Sequence, residues 1–479
     1  MGFFKAYDMR GTYGIDFDLD TVYKVGKALP QVVKGGKWLV GRDCRVTSAG
    51  VRDALVKGLV EAGATITDIG LCTTPMVYYF TAIDDYDGSV MITASHNPPS
   101  DNGLKVSMKT ALPVGYANGL NLVESMIGAG VFSRVEHKEH KEIFGCEKAR
   151  ARYLEFLKSK LEESGLRPSA SGLKIGIDCS NGMASLLAHE IFPGAEIIND
   201  TLDGTFPNHS PNPLKAEARE QIAALVREKG LDLGVIFDGD ADRAMFVDEK
   251  GEFVQPDYLI PIIAKICLAS RSAYNEGGEH CTPSDPRGFE ERGRPKVLHD
   301  VRTSRGAIET LREMGCEPVM VPVGHAFAKP KMRETGAICG GELAGHYYFK
   351  EFFGCDSAFL AVIHVLAEFE ASRGRSAYNE KKTFSAMMES IVSRYANSGE
   401  LNFKVEDKDA AIARVLNCAR SLAKEISRSE IDGIRVEFEE GWLNVRKSNT
   451  EPYLRLIVEA KGAELLDDWV GKLREVVSC

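Results

Sequence analysis

The sequence predicts α/β domains in series, closed by a smaller α+β unit, and three observations carry that prediction. Apolar strand-like runs alternate with amphipathic helical stretches, the alternation restarts near Leu173 and again near Tyr258, and the C-terminal part abandons it. The length of 479 residues agrees, since about 150 residues per domain give three or four units.

In the first unit Lys37 to Val40 reads as a strand and Ser48 to Gly63 as a helix, with Ser48 as N-cap and Gly63 past its end. Ser89 to Thr93 is the next strand, and the polar stretch Glu136 to Glu147 predicts a boundary. Leu173 to Cys179 opens the second unit as a strand. A helix from Lys215 to Lys229, stopped by Gly230, and the buried strand Leu233 to Phe237 follow. The third unit begins with Tyr258 to Ala269, the longest apolar run; it contains Pro261 and Lys265 and falls short of the roughly 18 residues of a spanning helix, so it reads as a buried one. Lys296 to Val301 and Glu317 to Val323 are then strands, and Thr303 to Met314 and Asp356 to Glu370 helices. In the last unit, helices at Asp407 to Ser427 and Ala463 to Val477 flank the extended runs Ile434 to Val445 and Tyr453 to Glu459. Two polar stretches, Arg271 to Pro295 and Ser372 to Lys382, read as exposed loops. Each contains the hexapeptide RSAYNE, at 271–276 and 375–380, without the regular period that marks a solenoid.

Composition excludes several classes. Lys plus Arg number 59 against 69 Asp plus Glu, a net charge of −10 that offers no general attraction to nucleic acid or anionic lipid. Hydrophobic residues at 44% exclude disorder throughout. Eleven cysteines, an odd number without a C-x-x-C pair, indicate a reducing compartment and give no support to structural zinc. The N-terminus carries no basic region followed by an apolar stretch, and Ala6 breaks the myristoylation pattern. A cytoplasmic protein without nucleic-acid or membrane partners is expected.

Four segments carry chemistry. Asp238, Asp240 and Asp242 alternate directly after the apolar strand LGVIF. Carboxylates so concentrated repel one another unless a cation lies among them, and hard oxygen ligands favour Mg²⁺ or Ca²⁺. An EF-hand fails, because Arg243 stands where the sharp turn needs Gly and a strand precedes the loop. A solvated acidic turn and a HAD-type phosphatase, with Asp238 as nucleophile and Asp240 as acid, remain open at this point. Upstream, Thr93-Ala94-Ser95-His96-Asn97-Pro98-Pro99 follows a strand and leads to Asn102-Gly103-Leu104-Lys105, so Ser95 is either a nucleophile in a proline-stiffened loop or part of a plain turn. A protease-like triad is disfavoured, since the adjacent His96 is poorly placed to share a proton and no G-x-S-x-G surrounds the serine. Gly340-Gly341-Glu342-Leu343-Ala344-Gly345-His346 brings backbone close to a ligand and offers Glu342 and His346 to sugar hydroxyls. His325, after an apolar run, reads as a structural histidine or a further ligand contact. Arg446-Lys447-Ser448-Asn449-Thr450-Glu451-Pro452, with Arg455 beyond, supplies the cations and hydroxyls that a phosphate dianion needs, or forms a solvated hairpin turn.

Taken in order, TASHNPP, DGDADR, GELAGH and RKSNTEP resemble the phosphoserine, metal, sugar and phosphate loops of the α-D-phosphohexomutases, the family of phosphomannomutase and phosphoglucomutase. The resemblance spans nearly the whole chain. It implies four domains around a central cleft: three similar α/β domains with mixed sheets, at 1–146, 147–250 and 251–372, and a C-terminal α+β domain at 373–479. It implies Mg²⁺ held by Ser95, Asp238, Asp240 and Asp242, with Arg10 and Arg243 on the phosphoserine and His96 orienting it. Phospho-Ser95 would phosphorylate a hexose phosphate to a hexose 1,6-bisphosphate, which turns round and returns its other phosphate. Lys105 and His346 would move the hydroxyl proton, either needing a lowered pKa. Glu342 and His325 would contact the substrate, and Arg446, Ser448, Asn449, Thr450 and Arg455 would hold its distal phosphate. The last domain would move as a lid, and the enzyme would be a monomer or homodimer. Two departures stand out: Ala344 replaces the serine of the usual Glu-x-Ser-Gly, and Asp300-Val301-Arg302 aligns with a family lysine. Asn449, where N-acetylglucosamine-type mutases tend to carry Gly, favours the mannose and glucose branch over phosphoglucosamine mutase. A phosphosugar-binding protein that has lost catalysis is the rival from another class.

Overall fold

Three mixed sheets share one plan. In domain I the strand Lys37–Arg42 lies between two parallel neighbours, Thr65–Leu71 and Gly88–Ile92, and the sheet continues antiparallel through Asp101–Met108 to Met9–Thr12. In domain II Ile175–Asp178 lies between Glu196–Ile198 and Leu233–Phe237, with Ala244–Val247 and Phe253–Val254 antiparallel beyond. Domain III repeats this with Lys296–Asp300 between Glu317–Val321 and Cys339–Gly341, then Tyr347–Phe349 and Cys355–Asp356. Domain IV is an antiparallel sheet with helices Lys408–Leu422 and Ala463–Ser478 packed against it, the predicted α+β unit. The computed structural model describes residues 2–132, 146–166, 172–273, 293–374, 382–448 and 453–478.

Parallel strands covered on both faces are apolar without alternation, and all five residues of Leu233–Phe237 are buried. The helix Ala358–Gly374 is buried all round from Ala358 to Phe369, so it runs through the interior. Its Phe359 ring lies 4.7 Å from Phe237 and 6.0 Å from Phe192, which makes the cores of domains II and III continuous directly beneath the acidic loop. In domain I the helices Leu19–Val33 and Ser48–Glu61 approach at two glycines; a Cβ on Gly58 would lie 2.1 Å from the Tyr23 carbonyl and one on Gly26 2.4 Å from that of Leu55.

Several predicted elements differ in extent. Ser48 is the first helical residue, flanked by Thr47, and its hydroxyl donates to Asp43 at 2.5 Å instead of capping the helix. Gly63 does follow the helix end, at φ +85°. The helix expected over Asp407 to Ser427 stops at Leu422, and Glu425–Ser429 is an edge strand captured by pairing with Ile434–Phe438. The extended run Ile434 to Val445 is two hairpin strands, Ile434–Phe438 and Gly441–Lys447. The helix Phe384–Val392, expected within the fourth unit, buries Phe384, Met387, Met388 and Ile391 in the core shared by the first three domains. Arg271 to Ala273, expected to begin a loop, ends the helix Leu259–Ala273. The rest of that RSAYNE copy, the whole second copy, and most of the expected boundary at Glu136 to Glu147 lie outside the described residues. Among the described residues no helix is long and apolar enough to cross a membrane.

Domain IV is tied to domain III by two arginines. Arg305 binds Glu437 and donates to the Phe438 and Gly441 carbonyls at 2.7 and 2.8 Å. Arg435 donates to the Val301 and Thr303 carbonyls at 2.7 and 2.8 Å.

Candidate active site

Three of the four motif loops occupy the same place in their repeats, between the third parallel strand and the first antiparallel one. Ser95 follows Gly88–Ile92, Asp238 follows Leu233–Phe237, and Glu342 follows Cys339–Gly341, each at the carboxyl end of a parallel strand where α/β sheets bind ligands. Each loop turns on one left-handed residue: Ser95 at φ 51°, Ala241 at 56° and Gly345 at 85°. For a serine that conformation costs on the order of 1–3 kcal/mol, so the surroundings must impose it.

Arg45 does much of that. Its guanidinium is buried and donates to four carbonyls of the serine loop: Ser95 at 2.8 Å, Asn97 at 2.7 Å, Pro98 at 2.5 Å and Asp101 at 2.9 Å. Asp43 fixes Arg45 in turn, accepting from its Nε at 3.1 Å. Within the loop the Ser95 N–H donates to Thr93 Oγ1 at 2.8 Å, and Arg10 reaches Asn97 Oδ1 at 3.1 Å.

The serine and acidic loops meet. Ser95 Oγ donates to Asp238 Oδ2 at 2.8 Å and lies 3.2 Å from His96 Nδ1. Gly239 permits this approach, for a Cβ there would stand 2.6 Å from the Ser95 carbonyl oxygen. Thr74 joins the same junction, its hydroxyl donating to Asp240 Oδ2 at 2.5 Å and its N–H to the Asp240 carbonyl at 3.0 Å. Lys105 Nζ pairs with Asp240 at 2.7 Å and Asp242 at 2.5 Å.

Burial, then the neighbouring Asp242 and Asp240, push the Asp238 carboxyl well above the usual carboxylate range. Burial acts the same way on Asp242, but the Lys105 ammonium outweighs it and holds Asp242 near 2. The Lys105 ammonium is raised, because Asp240 and Asp242 overcome its burial; this is opposite to the lowering that a proton-accepting lysine needs. His96 lies well below its ordinary value through burial and the cations Arg243, Arg10 and Lys105.

The three aspartates suit a hard divalent cation. One oxygen from each lies within 4.8 Å of the others, all three residues are buried, and Asp240 Oδ1 and Asp242 Oδ1 have no hydrogen-bond partner among the described residues. Three oxygen donors with buried orphan oxygens fit Mg²⁺ better than a softer metal, although His346, 3.8 Å from Asp242 Oδ1, forms a second such group with Asp242 and Asp356.

The loop Glu342 to His346 abuts the acidic loop. Arg243 Nε donates to His346 Nε2 at 2.9 Å, and His346 Nδ1 lies 2.7 Å from Asp356 Oδ2, so the ring carries its proton on Nδ1. Lys329 holds the other Asp356 oxygen at 2.8 Å. Glu342 accepts from Tyr348 OH at 2.5 Å and the Gly324 N–H at 3.2 Å, and its burial raises its carboxyl. His325 begins the helix His325–Thr335 with its ring 6.1 Å from that of His346, and burial holds it well below its ordinary value.

Domains I to III thus bring together Ser95, His96, Lys105, Asp238, Asp240, Asp242, Arg243 and His346, with Arg10, His325 and Glu342 at the margin. Arg446, Ser448 and Arg455 lie apart on domain IV; Asn449 and Thr450 lie outside the described residues. A chain of contacts links the two regions: Leu343 N–H to Asp300 at 3.0 Å, Asp300 to Arg302 at 2.6 Å, and Arg302 to Glu400 at 3.6 Å, where Glu400 meets Arg446 and Arg455. Sequence reasoning gave no role to Arg45, Thr74, Asp356 or Glu400. One signal was present. Asp43-Cys44-Arg45 and Asp300-Val301-Arg302 share a D-x-R spacing at the end of a strand, and in both the Asp accepts from the Arg backbone and Nε.

Comparison with known proteins agrees with the four-domain fold. Descriptions of the Phosphoglucomutase/phosphomannomutase alpha/beta/alpha domains I, II and III match residues 1–128, 151–251 and 257–395, and that of the C-terminal domain matches 400–476. A protein of Xanthomonas campestris named "Phosphohexose mutases" is 35% identical over 472 residues, covering 97% of this chain and 96% of its own. The phosphomannomutase of Escherichia coli strain K12 is 33% identical, covering 96% and 95%. A crystal structure of a phosphoglucomutase/phosphomannomutase family protein from Burkholderia thailandensis superposes with a TM-score of 0.80 at 27% identity, covering 100% of this chain and 97% of its own. N-acetylphosphoglucosamine mutase of Aspergillus fumigatus, solved with GlcNAc-6P and magnesium, shares the fold at a TM-score of 0.62 and 13% identity over 99% and 95% of the two chains.

Proposed function

The chain belongs to the phosphoglucomutase/phosphomannomutase family and is a mutase of the isomerase class, and from that premise we propose that it interconverts the 1- and 6-phosphates of mannose and glucose through a phosphate carried on Ser95. The observation that carries this reading is the 2.8 Å contact from Ser95 Oγ to Asp238, which joins a strained, buried serine to the acidic cluster. A phosphatase built on Asp238 would leave the serine loop and its Arg45 clamp without a purpose.

Ser95, Asp238, Asp240 and Asp242 would hold Mg²⁺, which when bound neutralises charge on the transferring phosphoryl group. The Ser95 Oγ–P bond breaks as phosphorus bonds to the substrate hydroxyl oxygen, and the hydroxyl proton leaves to a base. His346 is that base. Asp356 anchors its Nδ1–H, and Nε2 becomes available when Arg243 turns from it to a phosphoryl oxygen. Lys105, kept cationic by Asp240 and Asp242, and Arg10 offset charge in the transfer. His96, neutral at physiological pH, orients Ser95 Oγ. The resulting hexose 1,6-bisphosphate turns round and returns its other phosphate to Ser95, while Arg446, Ser448, Asn449, Thr450 and Arg455 grip the distal one. Glu342 and His325 contact the sugar. The full burial of Ser95 supports retention of the phosphoenzyme against water. A cytoplasmic setting agrees with the free cysteines.

The test is a panel of mannose, glucose and glucosamine 1-phosphates with a trace of glucose 1,6-bisphosphate. Conversion of the first two to 6-phosphates, faster than the third, is expected; no turnover on any of them overturns the reading. Ser95→Ala should lower turnover by more than about 10³-fold. Intact-mass analysis should find phosphate on wild-type Ser95, and an unphosphorylated serine with tight substrate binding would mark a binding protein instead.

A further inference from the structure

The serine and acidic loops belong to different domains, and one aromatic ring bridges them. Phe206, on the domain II segment that follows Glu196–Ile198, is 6% exposed. The Arg45 guanidinium lies over its ring, 5.0 Å from the centroid. The tip of the ring faces the acidic loop: a Cβ on Gly239 would stand 3.5 Å from Phe206 Cζ, 3.4 Å from Pro211 and 2.6 Å from the Ser95 carbonyl oxygen. That same carbonyl accepts from Arg45 Nη2 at 2.8 Å. The contacts therefore close on themselves, running from Arg45 to the Ser95 carbonyl, on to Gly239, and back through Phe206 to Arg45.

The backbone keeps the ring in this place. Phe206 has φ +49°, a left-handed conformation that a bulky residue adopts only when its surroundings impose it. Its N–H donates to the Asp203 carbonyl at 2.9 Å, and Asp203 Oδ1 accepts from the N–H and hydroxyl of Thr205 at 2.9 and 2.7 Å. Gly204 lets this turn press on domain I, since a Cβ there would stand 2.3 Å from the Cys44 carbonyl oxygen and 2.4 Å from Arg45 Cα. An aromatic side chain suits the position electrostatically. Burial works against the charge of Arg45, Asp43 supports it, and the negative face of a ring adds to that support where water is excluded. An aliphatic side chain of similar bulk would fill the space without that attraction.

We propose that Phe206 is a positioning residue which, by holding Arg45 on its face and Gly239 at its tip, sets the distance between Ser95 Oγ and the three aspartates. The 2.8 Å contact from Ser95 Oγ to Asp238 is the separation it controls. Ser95 and the aspartates are the groups that would share Mg²⁺, so a slackened junction weakens the metal and the transfer together. The assignment rests on the mutase reading above only for the identity of the transferred group.

Calorimetric titration of Mg²⁺ into the full-length protein tests this. Phe206→Leu should bind Mg²⁺ about tenfold more weakly than wild type, the loss typical when a group behind the metal ligands is removed. Arg45→Met should weaken binding at least as much, and the double variant should lose less than the product of the two, because the ring acts in part through the guanidinium. In turnover Phe206→Leu should lower kcat by about 10–100-fold and leave KM within about twofold, since the sugar and the distal phosphate are assigned to groups on domains III and IV. A purely structural role predicts instead a lower Tm with Mg²⁺ affinity unchanged. That result, or losses that multiply in full in the double variant, overturns the proposal. Should Phe206→Leu or Arg45→Met not fold, Phe206→Met and Arg45→Lys take their places in the same cycle, and the same outcomes decide. Weaker Mg²⁺ binding by Phe206→Leu, in a protein that turns over no hexose phosphate, would leave this inference standing and remove the mutase reading.

Discussion

Ser95 is held in a left-handed conformation by a residue fifty positions away in the chain. Arg45 carries four backbone carbonyls of the serine loop on one buried guanidinium, and Asp43 is its only charged contact closer than 3.5 Å among the described hydrogen bonds. Arg45→Met should therefore act twice. It leaves Asp43 buried without its partner, at a cost of about 3–5 kcal/mol in urea unfolding, and it loosens Ser95, lowering kcat by about 10²-fold. Asp257 gives a second prediction. Its carboxyl, buried in domain III and accepting from Ser304 N–H at 2.8 Å, is pushed up to about 7 by burial. The unfolded chain titrates near 3.9, so between about pH 4 and 7 the folded state binds more protons than the unfolded, and stability falls as pH rises. Asp257→Asn keeps an acceptor for Ser304 and removes the proton uptake. Relative to wild type it should gain up to about 4 kcal/mol at pH 8 and little near pH 4, measured by urea unfolding across that range.

At the scale of elements, the repeated unit explains why three unrelated-looking motifs converge. Each α/β domain sends out a loop at the same point of the same strand order, so placing the domains side by side places the loops together. A second loop, after each central strand, begins with an aspartate that folds back on the backbone two residues later: Asp43 on Arg45, Asp178 on Ser180 and Asp300 on Arg302. Only in domains I and III does that position carry an arginine, one supporting the serine loop and the other meeting Glu400. Close packing of elements sets another constraint. Gly58→Ala would drive a methyl group into the Tyr23 carbonyl between two helices of domain I, and should cost about 1–3 kcal/mol in thermal or urea unfolding without altering the substrate panel.

Across the whole molecule, charge and mobility dominate. A net charge of −10 coexists with a site proposed to take dianions, because arginines and lysine converge where the domains meet. The three buried aspartates repel one another, so Mg²⁺ should stabilise the fold as well as support turnover. At a hundredfold excess over its Kd the gain should be about 2.7 kcal/mol, visible as a rise in Tm that Asp240→Asn removes. Domain IV meets domain III through arginines and carbonyls rather than a continuous apolar core, the kind of junction that permits rotation. Closure of that domain over a bound bisphosphate should reduce the radius of gyration measured by small-angle X-ray scattering, and an unchanged radius would count against a moving lid.

The α/β class, the α+β ending and the motif loops were legible in the sequence, because strand apolarity, helix period and clustered chemistry are local properties. Gly230, the Leu233–Phe237 strand and the alternating aspartates needed no partner to be recognised. Tertiary contact decided the rest. Glu425–Ser429 is a strand only because a neighbouring strand pairs with it, and Phe384–Val392 belongs with domain III only because its apolar face finds a core there. Arg45, Asp356 and Glu400 gained their roles from groups between 10 and about 100 residues distant. The proton state of Lys105 was decided in the same way. The resemblance suggested a base, whereas the two carboxylates that the fold sets against it keep it a cation.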